Sequence, residues 1–200
     1  MFEVRIHGRG GQGVVTAAEL LSVAAFIETR HAQAFPSFGS ERTGAPVVSF
    51  CRIADHQIRT HEPIADPDAL IIVDATLLHQ VDVFAGLKAD GYVLINTSKT
   101  FAELRIEELF ERFDRQRFQT VAATEVARER LGRPLPNAAL LGGFAALTRV
   151  VGLRSVTEAI AQRFPGPVGK ANVAAAESAY GLVRSGLGQP TRQLVEATSA

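Results

Sequence analysis

The sequence predicts an α/β fold, in which helices flank a mainly parallel, Rossmann-like sheet and the last third of the chain is helical. Three observations predict it. Apolar and polar residues alternate from Phe2 to His7, a glycine-rich turn follows, and apolar residues then recur at helical spacing. Strand-like and helix-like segments alternate as far as about residue 123, which favours a parallel sheet. Beyond that point the pattern is helical.

Length and composition fit one soluble globular domain. The chain has 200 residues, of which 46% are hydrophobic and 21% are charged. We expect a single domain at 1–187 and a loose C-terminal tail at 188–200. Equal numbers of acidic and basic residues, 21 of each, argue against non-specific nucleic-acid binding. No apolar run approaches the roughly 20 residues of a membrane-spanning helix, and no secretory signal pattern is visible. A cytoplasmic location is expected.

The first strand is expected from Phe2 to His7 with one face buried, and the first helix from about Gln12 to Glu28. Further strands are expected at 32–35, 47–53, 69–73, 92–95 and 118–122, with a hairpin return at 57–60. Further helices are expected near 79–87, 106–113, 124–131, 137–151, 155–164 and 173–183. Three helix starts carry capping residues, namely Thr124, Asn137 and the pair Ser155 and Glu158.

The turn after the first strand, Gly8-Arg9-Gly10-Gly11-Gln12-Gly13, fits the pattern G-x-G-x-x-G. Glycines allow a tight turn and the close approach of a phosphate to the backbone, and a helix N-terminus offers free N–H groups. The functional interpretation is therefore a phosphate-bearing ligand. The alternative is a tight strand-to-helix turn that binds nothing.

A dinucleotide-binding enzyme needs a second element, an acidic residue about 20 residues further on, at the end of the second strand. Here that strand ends in Phe35-Pro36-Ser37. This departure weakens the hypothesis of an NAD-dependent enzyme.

The other chemically active side chains give weaker signals. Cys51 is the only cysteine, so the chain cannot form an internal disulfide, a cysteine-rich zinc site or an iron–sulfur cluster alone. Asp55, His56, His61 and Glu62 could ligate a metal, but a solvated polar turn is the stronger interpretation. The sequence contains neither a nucleophile elbow nor a Walker-type phosphate loop. We therefore predict no catalytic residue and no metal ligand in this chain.

Two segments together are more specific than the glycine turn alone. The glycine turn reads G-R-G-G-Q-G, and residues 35–47 read F-P-S-F-G-S-E-R-T-G-A-P-V. Both resemble the gamma subunits of the 2-oxoacid:acceptor (ferredoxin) oxidoreductase family, of the pyruvate/phenylglyoxylate type. The resemblance extends over about residues 2–180. Thr43 departs from the pattern, since many relatives carry Arg or Gly there.

The resemblance implies a complex that decarboxylates a 2-oxo acid, such as pyruvate or phenylglyoxylate, on thiamine diphosphate with magnesium. It also implies electron transfer through iron–sulfur clusters and release of an acyl-CoA. The implied partners are alpha, beta and ferredoxin-like delta subunits. With one cysteine and no GDG…N pattern, this chain binds none of these cofactors alone. Its expected contributions are structure, partner contacts and part of the CoA site.

The expected CoA contacts lie on loops that follow strands. Ligands of open α/β sheets bind at the carboxyl edge, and the loops 8–13, 36–44 and 74–76 are expected to meet there. Arg42 is expected to pair with a phosphate, although an ion pair with Glu41 is the alternative. The predicted cofactor-binding residues are Gly8, Arg9, Gly10, Gly11, Gln12, Gly13, Ser40, Glu41 and Arg42. Two rival hypotheses are a stand-alone nucleotide-binding oxidoreductase and a scaffold subunit that binds no ligand.

Overall fold

The structure is a computed structural model that describes residues 1–37 and 43–187. Within these ranges, the strands are β1 (Phe2–Arg9), β2 (His31–Pro36), β3 (Pro46–Ala54), β4 (Ala69–Ile72), β5 (Tyr92–Asn96) and β6 (Phe118–Val121). The α-helices of the same ranges are α1 (Val14–Ile27), α2 (Phe101–Leu104), α3 (Ala123–Leu131), α4 (Asn137–Thr148), α5 (Leu153–Arg163) and α6 (Gly166–Leu187).

The strands form one sheet with the order β2-β3-β1-β4-β5-β6. β1, β4, β5 and β6 are parallel, whereas β3 runs antiparallel to both of its neighbours. The connection from β2 to β3 is too short for a crossover helix, which needs roughly a dozen residues, so these two strands pair antiparallel. The predicted α/β class and the flanking helices are confirmed. The sheet departs from a Rossmann-like arrangement in one respect, because the antiparallel strand β3 lies between β2 and β1.

One face of the sheet is covered by helices. α4 is buried along its whole length, including its two glycines. A side chain at Gly142 would collide with the carbonyl oxygen of Ala176, so glycine allows α4 and α6 to approach closely. α1 buries one side against the sheet but leaves Phe26 74% exposed on its outer side.

The opposite face is polar along β1. Val4 and Ile6 point towards the helices, while Arg5 and His7 are buried on the other side. The Arg5 guanidinium donates to the carbonyl oxygens of Val83 (2.9 Å) and Ala85 (2.6 Å). The expectation that β1 has one buried face is therefore wrong. Its polar face is covered by the chain's own irregular segment.

Two predicted elements are wrong, and arginine side chains explain both. No helix forms over 79–87, because the carbonyl groups of Val83 and Ala85 turn towards Arg5; a 3-10 helix covers Ala75–His79 instead. No strand forms over 57–60. After this segment, Arg52 on β3 donates to the carbonyl oxygen of Glu62 (2.6 Å), which holds the chain against the face of the sheet.

Several helix starts also differ from the prediction. The predicted helix near 106–113 is a 3-10 helix at Glu107–Glu111, and α2 precedes it. Ala122 rather than Thr124 caps α3, and Ser155 lies inside α5, where its hydroxyl donates to Glu28. Asn137 is the first residue of α4, after Pro136 at the cap position. None of the described helices has the length and hydropathy needed to cross a membrane.

Candidate functional site

The predicted meeting of loops at the carboxyl edge is confirmed for the described residues. The backbone of Gly10 bonds to the start of the β3 segment: its N–H donates to Ala45 O (2.9 Å), and its carbonyl accepts from the N–H of Gly44 (3.1 Å). The N–H of Val73, just after β4, donates to His7 O on β1 (2.7 Å). We call residues 8–13 the glycine loop. It is held between the ends of β1, β3 and β4.

Three glycines of this loop are required by backbone geometry or space. Gly11 has φ +92° and Gly13 has φ +76°, both in the left-handed region that favours glycine. A side chain on Gly8 would press against Val14 and Val73. Gly13 caps α1 without any side-chain hydrogen bond to the first turn of the helix. A shallow cleft of about 300 Å³ lies over this turn.

Asp74 connects the glycine loop to the end of β4. Its Oδ2 accepts from Arg9 Nε (3.1 Å) and Gln12 Nε2 (2.8 Å). Its Oδ1 accepts from the N–H (3.0 Å) and the hydroxyl (2.6 Å) of Thr76. Burial raises the pKa of Asp74, but the hydrogen bonds from Thr76 and Gln12 and the charge of Arg9 together hold it below its usual value. A charged Asp74 thus fixes the conformation of the loop.

Arg9 is engaged by the protein itself. Besides Asp74, its guanidinium donates to Gly44 O (3.1 Å), Thr76 Oγ1 (2.8 Å) and Gln80 Oε1 (2.7 Å). A phosphate at this side chain would have to compete with these groups. The geometry therefore gives Arg9 a role in shaping the loop.

Asn137 lies against the N-terminus of α1 although it is far away in sequence. A side chain built on Gly13 would come within 2.6 Å of Asn137 Nδ2. Asn137 Oδ1 accepts from the N–H of Ala138 (3.0 Å), which leaves the amide NH₂ on the side of the loop. A second asparagine, Asn96 at the end of β5, donates to Val73 O (2.8 Å) and Thr124 Oγ1 (2.8 Å).

Comparison with known proteins identifies the family. A family model described as "Pyruvate ferredoxin/flavodoxin oxidoreductase" matches residues 3–182. The chain belongs to this family. It is 46% identical over 180 residues to "Pyruvate synthase subunit PorC" of Methanothermobacter marburgensis, covering 90% of this chain and 96% of the relative. It is 47% identical over 182 residues to "Pyruvate/ketoisovalerate oxidoreductases common subunit gamma" of Pyrococcus furiosus, with the same coverage.

Solved structures of the family share the fold. The crystal structure of pyruvate oxidoreductase subunit PORC from Thermotoga maritima matches with a TM-score of 0.76 and 35% identity, over 90% of this chain and 95% of that one. A 2-oxoglutarate:ferredoxin oxidoreductase chain from Magnetococcus marinus has a TM-score of 0.71 at 14% identity, and 31% of that chain is covered. The second match concerns the fold alone. The resemblance to gamma subunits is confirmed.

Within this family member, the predicted site residues divide into two groups. Gly8, Arg9, Gly10, Gly11, Gln12 and Gly13 lie together at the carboxyl edge of the sheet. Ser40, Glu41 and Arg42 lie outside the described residues, so their proposed contacts with CoA stay predictions. No group of three metal-ligating side chains occurs among residues 1–37 and 43–187. Cys51 is fully buried, and burial raises the pKa of its thiol to about 12.

Sequence reasoning placed Asp74 in a loop at this edge but did not predict its hydrogen bonds, and it missed the parts played by Asn96 and Asn137. A signal existed for the first two, because each directly follows or ends a buried parallel strand at the edge where ligands bind. Asn137 gave no comparable signal. Its proximity to Gly13 arises only when α4 packs beside α1.

Proposed function

We propose that this chain is the gamma subunit of a complex that oxidatively decarboxylates a 2-oxo acid and releases an acyl-CoA, and that its glycine loop holds a phosphate of CoA. The relatives that match nearly full length are named as subunits of pyruvate synthase and of pyruvate/ketoisovalerate oxidoreductases. The observation that carries the phosphate proposal is the start of α1. The first turn of α1 lines a cleft at the edge of the sheet where ligands bind, and glycines with positive φ precede this turn.

The proposal divides the chemistry between subunits. Thiamine diphosphate with magnesium and the iron–sulfur clusters would reside on alpha, beta and ferredoxin-like delta subunits, and would supply decarboxylation and electron transfer to ferredoxin. The present chain would orient CoA so that its thiol reaches the acyl group. Pyruvate is the proposed substrate, and a branched or aromatic 2-oxo acid such as phenylglyoxylate is the alternative. The proposed location is the cytoplasm.

The topology disfavours a stand-alone dinucleotide enzyme. In such enzymes the second strand lies beside the first and presents an acid to the ribose. Here β3 lies between β1 and β2, and β2 ends in Pro36 without an acid. A ligand-free scaffold is favoured by one observation, the engagement of Arg9 by protein groups. The experiment below distinguishes this alternative from the proposal.

The test uses two glycine variants of the assembled complex. Gly11→Ala and Gly132→Ala introduce similar backbone strain, because φ is +92° and +69° and neither new side chain meets a neighbour. Only Gly11 lies in the glycine loop, two residues before the cap of α1. We expect Gly11→Ala to raise the KM for CoA about tenfold, since the loss of one correctly aimed amide costs about 1.4 kcal/mol. We expect Gly132→Ala to leave it unchanged.

Cluster reduction by the 2-oxo acid without CoA should be equal in both variants. An unchanged KM for CoA in an intact Gly11→Ala complex would favour the scaffold alternative. Arg42→Ala extends the test to the adjoining loop. A phosphate contact predicts a rise of roughly 10- to 150-fold in the KM for CoA, whereas loss of subunits on a sizing column would assign Arg42 a structural role.

A further inference from the structure

We infer that the polar face of the sheet binds one water molecule between Arg52 of β3 and Gln33 of β2, as a fixed part of the fold. The inference does not depend on the proposed function. Its first observation is a pair of buried polar atoms, Arg52 Nη1 and Gln33 Oε1, neither of which has a hydrogen-bond partner among the described residues. A buried polar group normally has a partner, because it has lost its hydrogen bonds to bulk water.

The second observation is the position of these two side chains. Gln33 lies directly opposite Arg52 in the antiparallel pairing of β2 with β3, so both side chains leave the same face of the sheet. Phe35, two residues further along β2, lies over the guanidinium of Arg52, with 5.2 Å between Cζ and the ring centroid. The guanidinium therefore extends towards β2. The two unpartnered atoms are neighbours, yet they do not bond to each other.

The third observation is that other groups already hold both side chains in place. Arg52 Nε donates to Glu3 Oε1 (2.8 Å), and Arg52 Nη2 donates to Glu62 O (2.6 Å). Gln33 Nε2 donates to His61 Nδ1 (2.6 Å). Because these bonds fix the guanidinium and the carboxamide, neither group can turn towards the other without losing a partner.

The chemistry of the two atoms identifies the ligand. It must accept from a guanidinium N–H and donate to an amide oxygen, and a water molecule does both. A halide has no proton to donate to Gln33, and a metal cation would be repelled by Arg52. The charge of Arg52 is already balanced by Glu3. With the water bound, a continuous chain of hydrogen bonds holds residues 61–62 against both strands.

A crystal structure of the full chain that shows ordered solvent tests the site directly. We expect one peak of density at hydrogen-bonding distance, about 2.7–3.2 Å, from both Arg52 Nη1 and Gln33 Oε1. After a bromide soak, we expect no anomalous signal at this peak, because an anion does not fit the acceptor on Gln33. A direct bond between the two side chains, a bromide at the peak or the absence of density would overturn the inference.

Thermal unfolding of Gln33→Met measures the contribution of the site to the fold. Methionine keeps the length of the side chain but removes the carboxamide, so the water loses its acceptor. We expect the melting temperature to fall by about 3–8 °C. The matched control is Gln162→Met, the same substitution at an exposed position of α5, and it should change the melting temperature by less than about 2 °C.

His61→Ala separates the water from the neighbouring contact. This substitution removes the acceptor of Gln33 Nε2 but leaves Arg52 Nη1 and Gln33 Oε1 to bind the water. Because His61 is exposed, we expect its loss of melting temperature to be less than half that of Gln33→Met. Equal losses in the two variants would show that Gln33 acts through His61 alone, and the water would then not be a fixed part of the fold.

Discussion

The two faces of the sheet differ in what covers them. On one face, helices α1, α4 and α6 pack apolar side chains against the strands. On the other, 3-10 helices, the short helix α2 and irregular segments cover an apolar surface over β4, β5 and β6. Irregular segments also cover a polar surface over β1 and β3. The first face is held by periodic burial of apolar area, and part of the second is held by hydrogen bonds from buried arginines.

The polar part of the second face consists of hydrogen-bonded side-chain pairs on β1 and between β1 and β3. Arg5 Nε donates to His7 Nε2 (3.0 Å), and Arg52 Nε donates to Glu3 Oε1 (2.8 Å). Further donors of both arginines reach carbonyl groups of the covering segments, whereas Arg52 Nη1 is buried without a hydrogen-bond partner among the described residues. An irregular segment has no repeating apolar face, so fixed hydrogen bonds to its carbonyl groups take the place of helix packing.

The largest effect is expected on the helical face. Phe144 of α4 is fully buried, so Phe144→Ala should lower the free energy of unfolding by about 3–5 kcal/mol. The matched control is Phe26→Ala on α1, where the ring is 74% exposed and the change should stay within about 0.5 kcal/mol. Urea denaturation of the isolated chain measures both. Equal losses would contradict the assignment of the core to this face.

A pH-dependent effect is expected on the polar face. Burial, and then the charge of Arg5, lowers the pKa of His7 to about 4 from 6.5. The unfolded chain therefore binds the proton more tightly, and stability is full above pH 6.5 and falls as the pH drops from 6.5 to 4. The loss attributable to His7 is about 3 kcal/mol.

His7→Gln isolates this effect, because glutamine accepts the Arg5 hydrogen bond and does not titrate. Its stability should fall less than that of the wild type between pH 6.5 and 4 in denaturation curves. The matched control is His79→Gln, the same substitution at an exposed histidine. Parallel pH curves for wild type and His7→Gln would show that His7 is not held neutral.

The smallest effect on stability is expected at the outer side of α1. Phe26 and Val23 are exposed there on a helix with a single charged residue, Glu19. Together with the zero net charge, this side predicts that the isolated chain self-associates at high concentration. Phe26→Ser should reduce the association without changing stability. Sedimentation at increasing concentration measures it, and a wild-type chain that stays monomeric throughout would refute the expectation.

The same contrast explains what the sequence could predict. The spacing of Leu20, Leu21 and Ala24 indicated α1, and the apolar run 69–73 indicated a buried parallel strand, because period and composition are local properties. The glycine loop was located for the same reason. The order of the strands could not be predicted in this way, because it depends on which strands pair in the folded sheet.

The remaining errors concern contacts that form only in the tertiary structure. Arg5 and His7 read as the solvent face of a strand, because alternation alone does not tell water from a buried polar contact. The predicted helix at 79–87 does not form, because Arg5 binds the carbonyl groups of Val83 and Ala85. Asn137 was named only as a helix cap, because its approach to Gly13 depends on tertiary packing.

The engagement of Arg9 by Asp74 also bears on how the site responds to salt. Their opposite charges largely cancel, so the positive potential over the described part of the glycine loop comes from oriented peptide groups rather than from a net cation. Such dipoles act within about one helical turn, so they attract an anion only once it has arrived. Long-range steering of a highly charged ligand would therefore come from elsewhere, from Arg42 or from neighbouring subunits. The ionic-strength dependence of the association rate would report on those charges rather than on the loop.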